Sequence, residues 1–520
     1  MEIQDLAKRF AGHSGVSALR HVWNDETVHT VHLKGLSASA TPMLFSALAV
    51  ADEPWQVPVV LFVLNDLEEA GYFYHDLTQV LGTEQVLFLP SSYKRAIKYG
   101  QKDSANEVLR TEVLTRLTEA SPLPLPTEGR RPKGPKSRRG DSESAAMCGE
   151  RPPFYIVTYP DALAELVVSQ DTLNDRSIRL AVGDTVEIPQ IEKTLAEEGF
   201  ERVDYVYEPG QFAVRGSIID VFSYASEYPY RIDLFGDEID SIRTFEIESQ
   251  LSRDKVQQIS IVPNFEGSAQ GQVSFFDFLP EKAALAFQDY AWAHERIEQI
   301  VASPTPSQGG ELGPAMSEAP SPWERAGGEA SSCCINFNTS PQPLFHKNFE
   351  LVEQSLTGLM ERGYQLYILT DSAKQADRLK TIFEERGSAI PFEAIDKTLH
   401  GGFTDATMRV ACFTDHQIFD RFHKYNLRSD KARSGKMAIS LKELSQFEPG
   451  DYVVHIDHGV GRFAGLVRMP NGNSTQEVIK LVYSNDDVVF VSIHSLHKIS
   501  KYKSKEGETP RINKLGSLVG

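Results

Sequence analysis

Apolar positions along the chain follow two rhythms, and the rhythm changes three times. Between Asn24 and Leu117, short unbroken apolar runs alternate with longer amphipathic ones. Val28–Leu33 and Val59–Leu64 read as strands, the second (VVLFVL) continuous enough to be covered on both faces of a sheet. Asn65-Asp66 offers an N-cap, Glu68 and Glu69 put negative charge in the first turn, and LEEAGYFYHDLTQVL runs as a helix to Gly82. Val86–Leu89 is a third strand and Ala105–Leu117 a further helix. Phe154–Tyr159 is one more strand of the same sheet, followed by a helix over Asp161–Ser169.

From Arg179 to Phe265 the pattern turns to short strand-like runs, with Gly210, Gly216 and Gly236 marking turns or bulges. A second α/β unit occupies Leu344–Thr414. The last module, Phe447 to Tyr502, has short alternating strands with Gly or Asn-Asp turns, which predicts a small β-barrel.

Residues 121–153 and 303–332 are rich in Pro, Gly, Ser and Glu and nearly empty of Val, Ile and Phe. Such stretches bury too little apolar surface to offset backbone entropy, so they read as disordered insertions or linkers. The fold class is therefore multidomain α/β. Residues 1–175 form an α/β domain interrupted at 121–153, 176–265 an inserted β-rich domain, and 266–302 the return to the first domain. A linker (303–340), a small α/β domain (341–420), a basic helical connector (421–446) and the barrel (447–515) complete the order.

Composition adds limits. The 520 residues carry 53 Lys and Arg against 72 Asp and Glu, a formal charge of −19. A chain this acidic does not coat nucleic acid over its whole surface, so contact with DNA is local or indirect. The basic connector and the run Arg130, Arg131, Lys133, Lys136, Arg138, Arg139 are the local candidates, and a solvated segment is the plainer reading of the run. The four cysteines (Cys148, Cys333, Cys334, Cys412) form no metal-ligand spacing and read as reduced thiols. The N-terminus has no secretion pattern, and no apolar run is long enough to span a bilayer. A cytoplasmic protein with no membrane partner is expected.

The chemistry expected of an α/β nucleotide fold is missing. The segment KGLSASATPML follows the first strand and opens a helix, where a phosphate-binding loop would lie. Gly35 stands at the first glycine of G-x-x-x-x-G-K-[ST]. Ala40 replaces the second glycine, Thr41 the lysine and Pro42 the hydroxyl residue. Ala40 restricts the backbone, Thr41 cannot neutralise phosphate, and Pro42 removes an N–H donor and the magnesium-binding hydroxyl. An ordinary strand-to-helix turn with Ser37 or Ser39 near the N-cap is the alternative, and both readings forbid ATPase activity at this loop. Asp237, Glu238 and Asp240 read as a solvated strand face, and His455 and His458 as structural; no catalytic residue, cofactor or metal site is assigned.

The run PGQFAVRGSIIDVFSYASEYPYRIDLFGDEIDSIRTFEIESQ (Pro209–Gln250) closely resembles the inserted domain of bacterial transcription-repair coupling factors (the Mfd family), of which the excision-repair subunit UvrB has a related version. GDYVVHIDHGVGRFAG (Gly450–Gly465) with VSIHSLHKISKY (Val491–Tyr502) resembles the RNA polymerase-interacting module of the same family, shared with CarD-type regulators. The degenerate loop fits, because the UvrB-like module of the family has lost its nucleotide site. The resemblance implies a UvrB-like first domain and an SH3/Tudor-like barrel.

The resemblance also implies function. The inserted domain is expected to bind UvrA, with Arg202, Arg215 and Phe222 as contacts, although Phe222 also fits a core position. The barrel is expected to bind the RNA polymerase β subunit by adding a strand edge at Leu466, Val467, Arg468 and Met469. In the complete family protein the UvrA face is masked until a motor engages, so this chain is expected to bind UvrA constitutively. The 341–420 domain is expected to be a spacer. That motor, a superfamily 2 translocase with its own ATP and Mg, is expected beyond Gly520, which would make this chain a non-catalytic, monomeric adaptor. DNA would then be held mainly by the motor. The alternative is a stand-alone helicase-like or nuclease-like DNA repair enzyme.

Overall fold

The computed structural model describes residues 1–25, 27–51, 57–92, 104–120, 154–247, 249–265, 272–280, 282–302, 331–388, 390–421, 425, 449–455, 458–471, 474–484, 487–492 and 499–501. The 121–153 insertion with its basic run and Cys148, most of the 303–340 linker, nearly all of the connector and the basic tail beyond 501 lie outside the described residues. The chain forms two compact units. One holds residues 1–102, 113–170 and 267–427, and the other holds 103–112, 171–266 and 428–520.

In the first unit, four parallel strands lie in the order Ala284–Phe287, Val59–Val63, Phe154–Thr158, Val86–Phe88. Every residue of Val59–Val63 is buried, as an unbroken apolar run at the centre of a covered sheet requires. The helix Leu67–Leu81 starts where its cap predicts: the Asp66 carboxylate accepts from the Glu68 and Glu69 amides at 2.8 and 3.0 Å. Ile3–Ala11 buries Ile3, Leu6, Ala7 and Phe10, a one-sided stripe at helical spacing. The expected helix over 161–169 is instead a four-residue turn, Pro160–Leu163, followed by the strand Val167–Val168. The β-branched pair prefers the extended form and finds a partner in Gln272–Val273.

The strand Val28–Lys34 does not join this sheet. It runs parallel to Ser331–Asn336 in a two-stranded ribbon. The expected linker over 303–340 is therefore corrected at its end, since residues 331–336 and 339–341 are strands and Cys333 and Cys334 sit within the first of them. Linker-like composition stops at Ser332, and CCINF supplies the apolar residues that a strand needs.

The second α/β region of this unit has a five-stranded sheet, ordered Thr339–Pro341, Phe403–Asp405, Val410–Thr414, Gln365–Leu369, Glu393–Ile395. The helices Phe349–Glu361 and Ala373–Glu385 bury Val352, Leu356, Leu379 and Phe383 in the core it shares. Asn348 caps the first through the amides of Glu350 and Leu351.

In the second unit, residues 201–256 form a six-stranded sheet ordered Ser252–Val256, Glu238–Phe245, Tyr230–Phe235, Ile218–Val221, Gln211–Arg215, Glu201–Arg202. Its pairs are antiparallel except the last. Gly216 and Gly236 sit at the two tight hairpin turns with φ of +62° and +66°, a backbone region costly for a residue with a β-carbon. The ribbon of Ile178–Ala181 with Gln258–Ile261 and the helix Ile188–Glu197 cover the sheet's apolar side, where Leu195, Ile219 and Ile232 are buried.

Residues 452–501 of that unit form a five-stranded antiparallel sheet, ordered Val488–Ser492, Ser474–Val482, Gly459–Asn471, Tyr452–His455, Ile499–Lys501. Val453, Phe463, Ile479, Leu481 and Tyr483 make its core.

Candidate functional site

On the inserted domain, the three sequence-predicted contacts have different environments. Arg202 is exposed, with 63% of its side chain accessible, and its Nη2 lies 3.1 Å from Glu192 Oε1. Arg215 is half-buried. Its guanidinium lies over the Tyr205 ring, 4.9 Å from the centroid, and donates to the carboxylate of Asp220. Phe222 is in the core with Val206, Ala213 and Phe245. The expectation that its ring is a contact is therefore corrected: 3% exposure leaves it no surface to offer.

Asp220 was not legible as special. It is fully buried and held by two arginines. Arg231 donates from Nε to Oδ1 at 2.8 Å and from Nη2 to Oδ2 at 2.9 Å, with Arg215 beside it. Burial of an unpaired carboxylate is costly, and the two arginines offset that cost with charge and hydrogen bonds. The carboxylate in turn pushes the Arg231 pKa up, chiefly by hydrogen bonding. Phe235, at the tip of the 230–245 hairpin, is 85% exposed and was also missed; its only signal was an aromatic residue directly before a Gly-Asp turn.

In the C-terminal sheet, Leu466–Met469 lie in the long strand Gly459–Asn471. The stretch Phe463-Ala464-Gly465 is a bulge inside that strand: the register shifts between Phe463 and Leu466, and Gly465 has φ +101°. Of the long strand, only residues 459–462 pair with 452–455. Beyond the bulge, Leu466 to Asn471 pair with 474–479 on one side and, among the described residues, with no strand on the other. Leu466 and Val467 are 50% and 37% exposed. Arg468 and Met469 stand opposite Glu477 and Gln476.

The segment Gly35–Pro42, read from the sequence as a degenerate phosphate loop, is packed against other parts of its own unit. Gly35 has φ +77°, and a β-carbon there would lie 2.1 Å from the Phe337 carbonyl oxygen, so the approach of residue 337 requires this glycine. Thr339 Oγ1 donates to the Gly35 carbonyl at 2.8 Å and accepts from the Ser37 amide at 2.9 Å. The Ser39 amide, at the start of the helix Ala40–Val50, donates to the Gly401 carbonyl at 3.2 Å. Ser39 Oγ accepts from the Gly401 amide at 2.9 Å and donates to Asp76 Oδ2 at 2.5 Å, while the His400 amide donates to Asp76 Oδ1 at 2.7 Å. Desolvation pushes the Asp76 carboxyl up to about 7, against those two hydrogen bonds. Ala40 and Pro42 are buried in the helix that follows. Thus a carboxyl group and a backbone carbonyl face the helix start where the motif would place phosphate.

Asp237, Glu238 and Asp240 are exposed, as a solvated strand face predicts. The His455 and His458 rings stack at 4.6 Å, and among the described residues no group of three or more His, Cys, Asp or Glu could hold a metal ion.

Two family models match the chain, and each falls on one of these modules. Residues 178–266 match the UvrB interaction domain, and residues 447–503 match the CarD-like/TRCF RID domain. The chain matches the N-terminal half of the transcription-repair-coupling factors. The transcription-repair-coupling factor of Bacillus subtilis (strain 168) is 23% identical over 578 residues, covering 93% of this chain and 46% of that protein. That of Staphylococcus aureus (strain bovine RF122 / ET3-1) is 22% identical over 551 residues, covering 88% and 44%. The chain spans about half the length of the curated relatives it matches. Among the described residues, no helix is long and apolar enough to cross a membrane.

Proposed function

We propose that this chain is a non-catalytic adaptor that couples stalled transcription to nucleotide excision repair. Its inserted domain binds UvrA through a face that includes Arg202 and Arg215. Its C-terminal module, a small barrel of the SH3/Tudor-like kind, binds the β subunit of RNA polymerase by adding the open 466–471 edge to a strand of that partner. The chain acts as a monomer in the cytoplasm, without a cofactor of its own. DNA, ATP and magnesium belong to the translocase activity of a longer protein.

The observation that carries this reading is that one chain holds both modules, each matched to its own family model, and that among the described residues the 466–471 edge of the second has no partner strand. The packing of Gly401 and Asp76 against the phosphate loop weighs against a stand-alone helicase-like or nuclease-like enzyme. The test is co-purification of the chain with UvrA and with the polymerase β subunit, separately and together. Both partners are expected to be retained, with a ternary complex when they are mixed. Retention of neither, or saturable ATP hydrolysis by the chain alone, would reject the proposal.

A further inference from the structure

The second α/β region, residues 339–421, has no motif that assigns it a role, yet its loop 398–402 reaches the most chemically suggestive position in the first region. Three hydrogen bonds tie Ser39 and Gly401 together and extend to Asp76: amide to carbonyl, amide to hydroxyl, and hydroxyl to carboxyl. A fourth joins the His400 amide to Asp76. The His400 ring stacks on Tyr72 of the same helix as Asp76, with centroids 3.6 Å apart. The loop is braced from behind, where His416 Nε2 lies 3.0 Å from the His400 carbonyl and Gln417 accepts from the Gly402 amide at 2.7 Å.

The fit is close. A β-carbon on Gly401 would lie 3.0 Å from the Ala38 β-carbon, and one on Gly402 would lie 2.0 Å from Gln342 Oε1. Ser39, Asp76 and Thr398 are all nearly inaccessible to solvent. The donors at the start of a helix favour an anion or an oxygen dipole. Here the dipole is the Gly401 carbonyl, and the Asp76 carboxyl stands beside it, so a triphosphate would meet both a steric block and, when Asp76 is ionised, a like charge.

We propose that residues 398–402 are an intramolecular ligand of the vestigial phosphate loop, and that filling this loop is the role of the second α/β region. The loop takes the position a nucleotide would hold and fixes the two α/β regions in one nucleotide-independent arrangement. This inference goes beyond the adaptor reading and does not depend on which partners bind.

Hydrogen–deuterium exchange on the full chain tests it, comparing Gly401→Val with the parent. The variant is expected to exchange at least tenfold faster over both 37–44 and 398–403, with Val59–Val63 and Phe154–Thr158 unchanged. Faster exchange over 398–403 with 37–44 unaffected would overturn the proposal, because the loop would not be what protects the helix start. If Gly401→Val loses the fold altogether, Ser39→Ala decides. It removes only the bridging hydroxyl and is expected to speed exchange at Gly401, and unchanged protection there would overturn the proposal. So would saturable binding of a fluorescent ATP analogue with magnesium to the parent chain that alters exchange over 37–44.

Discussion

Arg231 closes over Asp220 with two parallel hydrogen bonds, one to each carboxylate oxygen, and its guanidinium lies 4.4 Å from the centroid of the Phe245 ring. The bidentate geometry is the strongest that such a pair offers, and the aromatic face shields it from water. Removing Asp220 would leave two arginines facing an uncompensated site. Asp220→Ala is therefore expected to destabilise the inserted domain by about 3–5 kcal/mol, measured by urea unfolding. Arg215→Glu would bring a second carboxylate against Asp220, so it is expected to unfold the domain along with any loss of binding.

Arg202 offers the cleaner probe of the proposed UvrA face. It is exposed, and its ion pair with Glu192 contributes at most about 1 kcal/mol. Arg202→Glu is expected to weaken UvrA binding at least tenfold in a titration while the urea midpoint barely moves. Phe222→Ala is expected to do the reverse, costing about 3–5 kcal/mol through the cavity it leaves. Equal UvrA affinity for Arg202→Glu and the parent would remove Arg202 from the interface.

At the other module, Met469→Arg is expected to abolish retention of the polymerase β subunit while UvrA binding stays at the parent level. Unchanged co-elution with polymerase would place the contact away from the 466–471 edge.

Asp76 gives a pH signature. Its carboxyl ionises near 3.8 in an unfolded chain and at about 7 in the fold. The folded state thus holds this proton more tightly, and the contribution of Asp76 to stability falls as pH rises between those values, by a total on the order of 4 kcal/mol. Asp76→Asn cannot ionise. The stability difference between Asp76→Asn and the parent, from urea unfolding at pH 5, 6, 7 and 8, is expected to move in favour of the variant as pH rises and to level off above pH 7. A difference that does not change with pH would mean that Asp76 is not buried in this way.

The sequence made the local elements legible because their signals are local. The apolar run at Val59–Val63, the Asp66 cap and the hairpin glycines each carry their structural cause within a few residues. The 161–169 region misled because a helical reading ignored a strand partner about a hundred residues away, Gln272–Val273. The ribbon of Val28–Lys34 with Ser331–Asn336 was hidden for the same reason. The partner modules were legible as long motifs, but which side chains face outward was only half legible. In Arg202, Arg215 and Phe222, residue type alone could not separate an exposed arginine from one bound to a buried carboxylate. Asp76 and Gly401 gave no warning, since an acid within a helix and a glycine in a loop become notable only when tertiary packing brings them together.

The first α/β unit is closed by bonds between distant parts of the chain: Ser37 to Thr339, 302 positions apart, and Arg9 to Tyr367, 358 positions apart. During synthesis, the inserted sheet can complete all its pairings as soon as residue 261 has emerged, whereas the surrounding unit waits for strands more than a hundred residues later. The middle of the sequence should therefore mature before the parts that flank it. Its six-stranded sheet would stand finished on the ribosome while the ribbon at Val28–Lys34 is still unpaired, which makes that early strand the segment most in need of a chaperone.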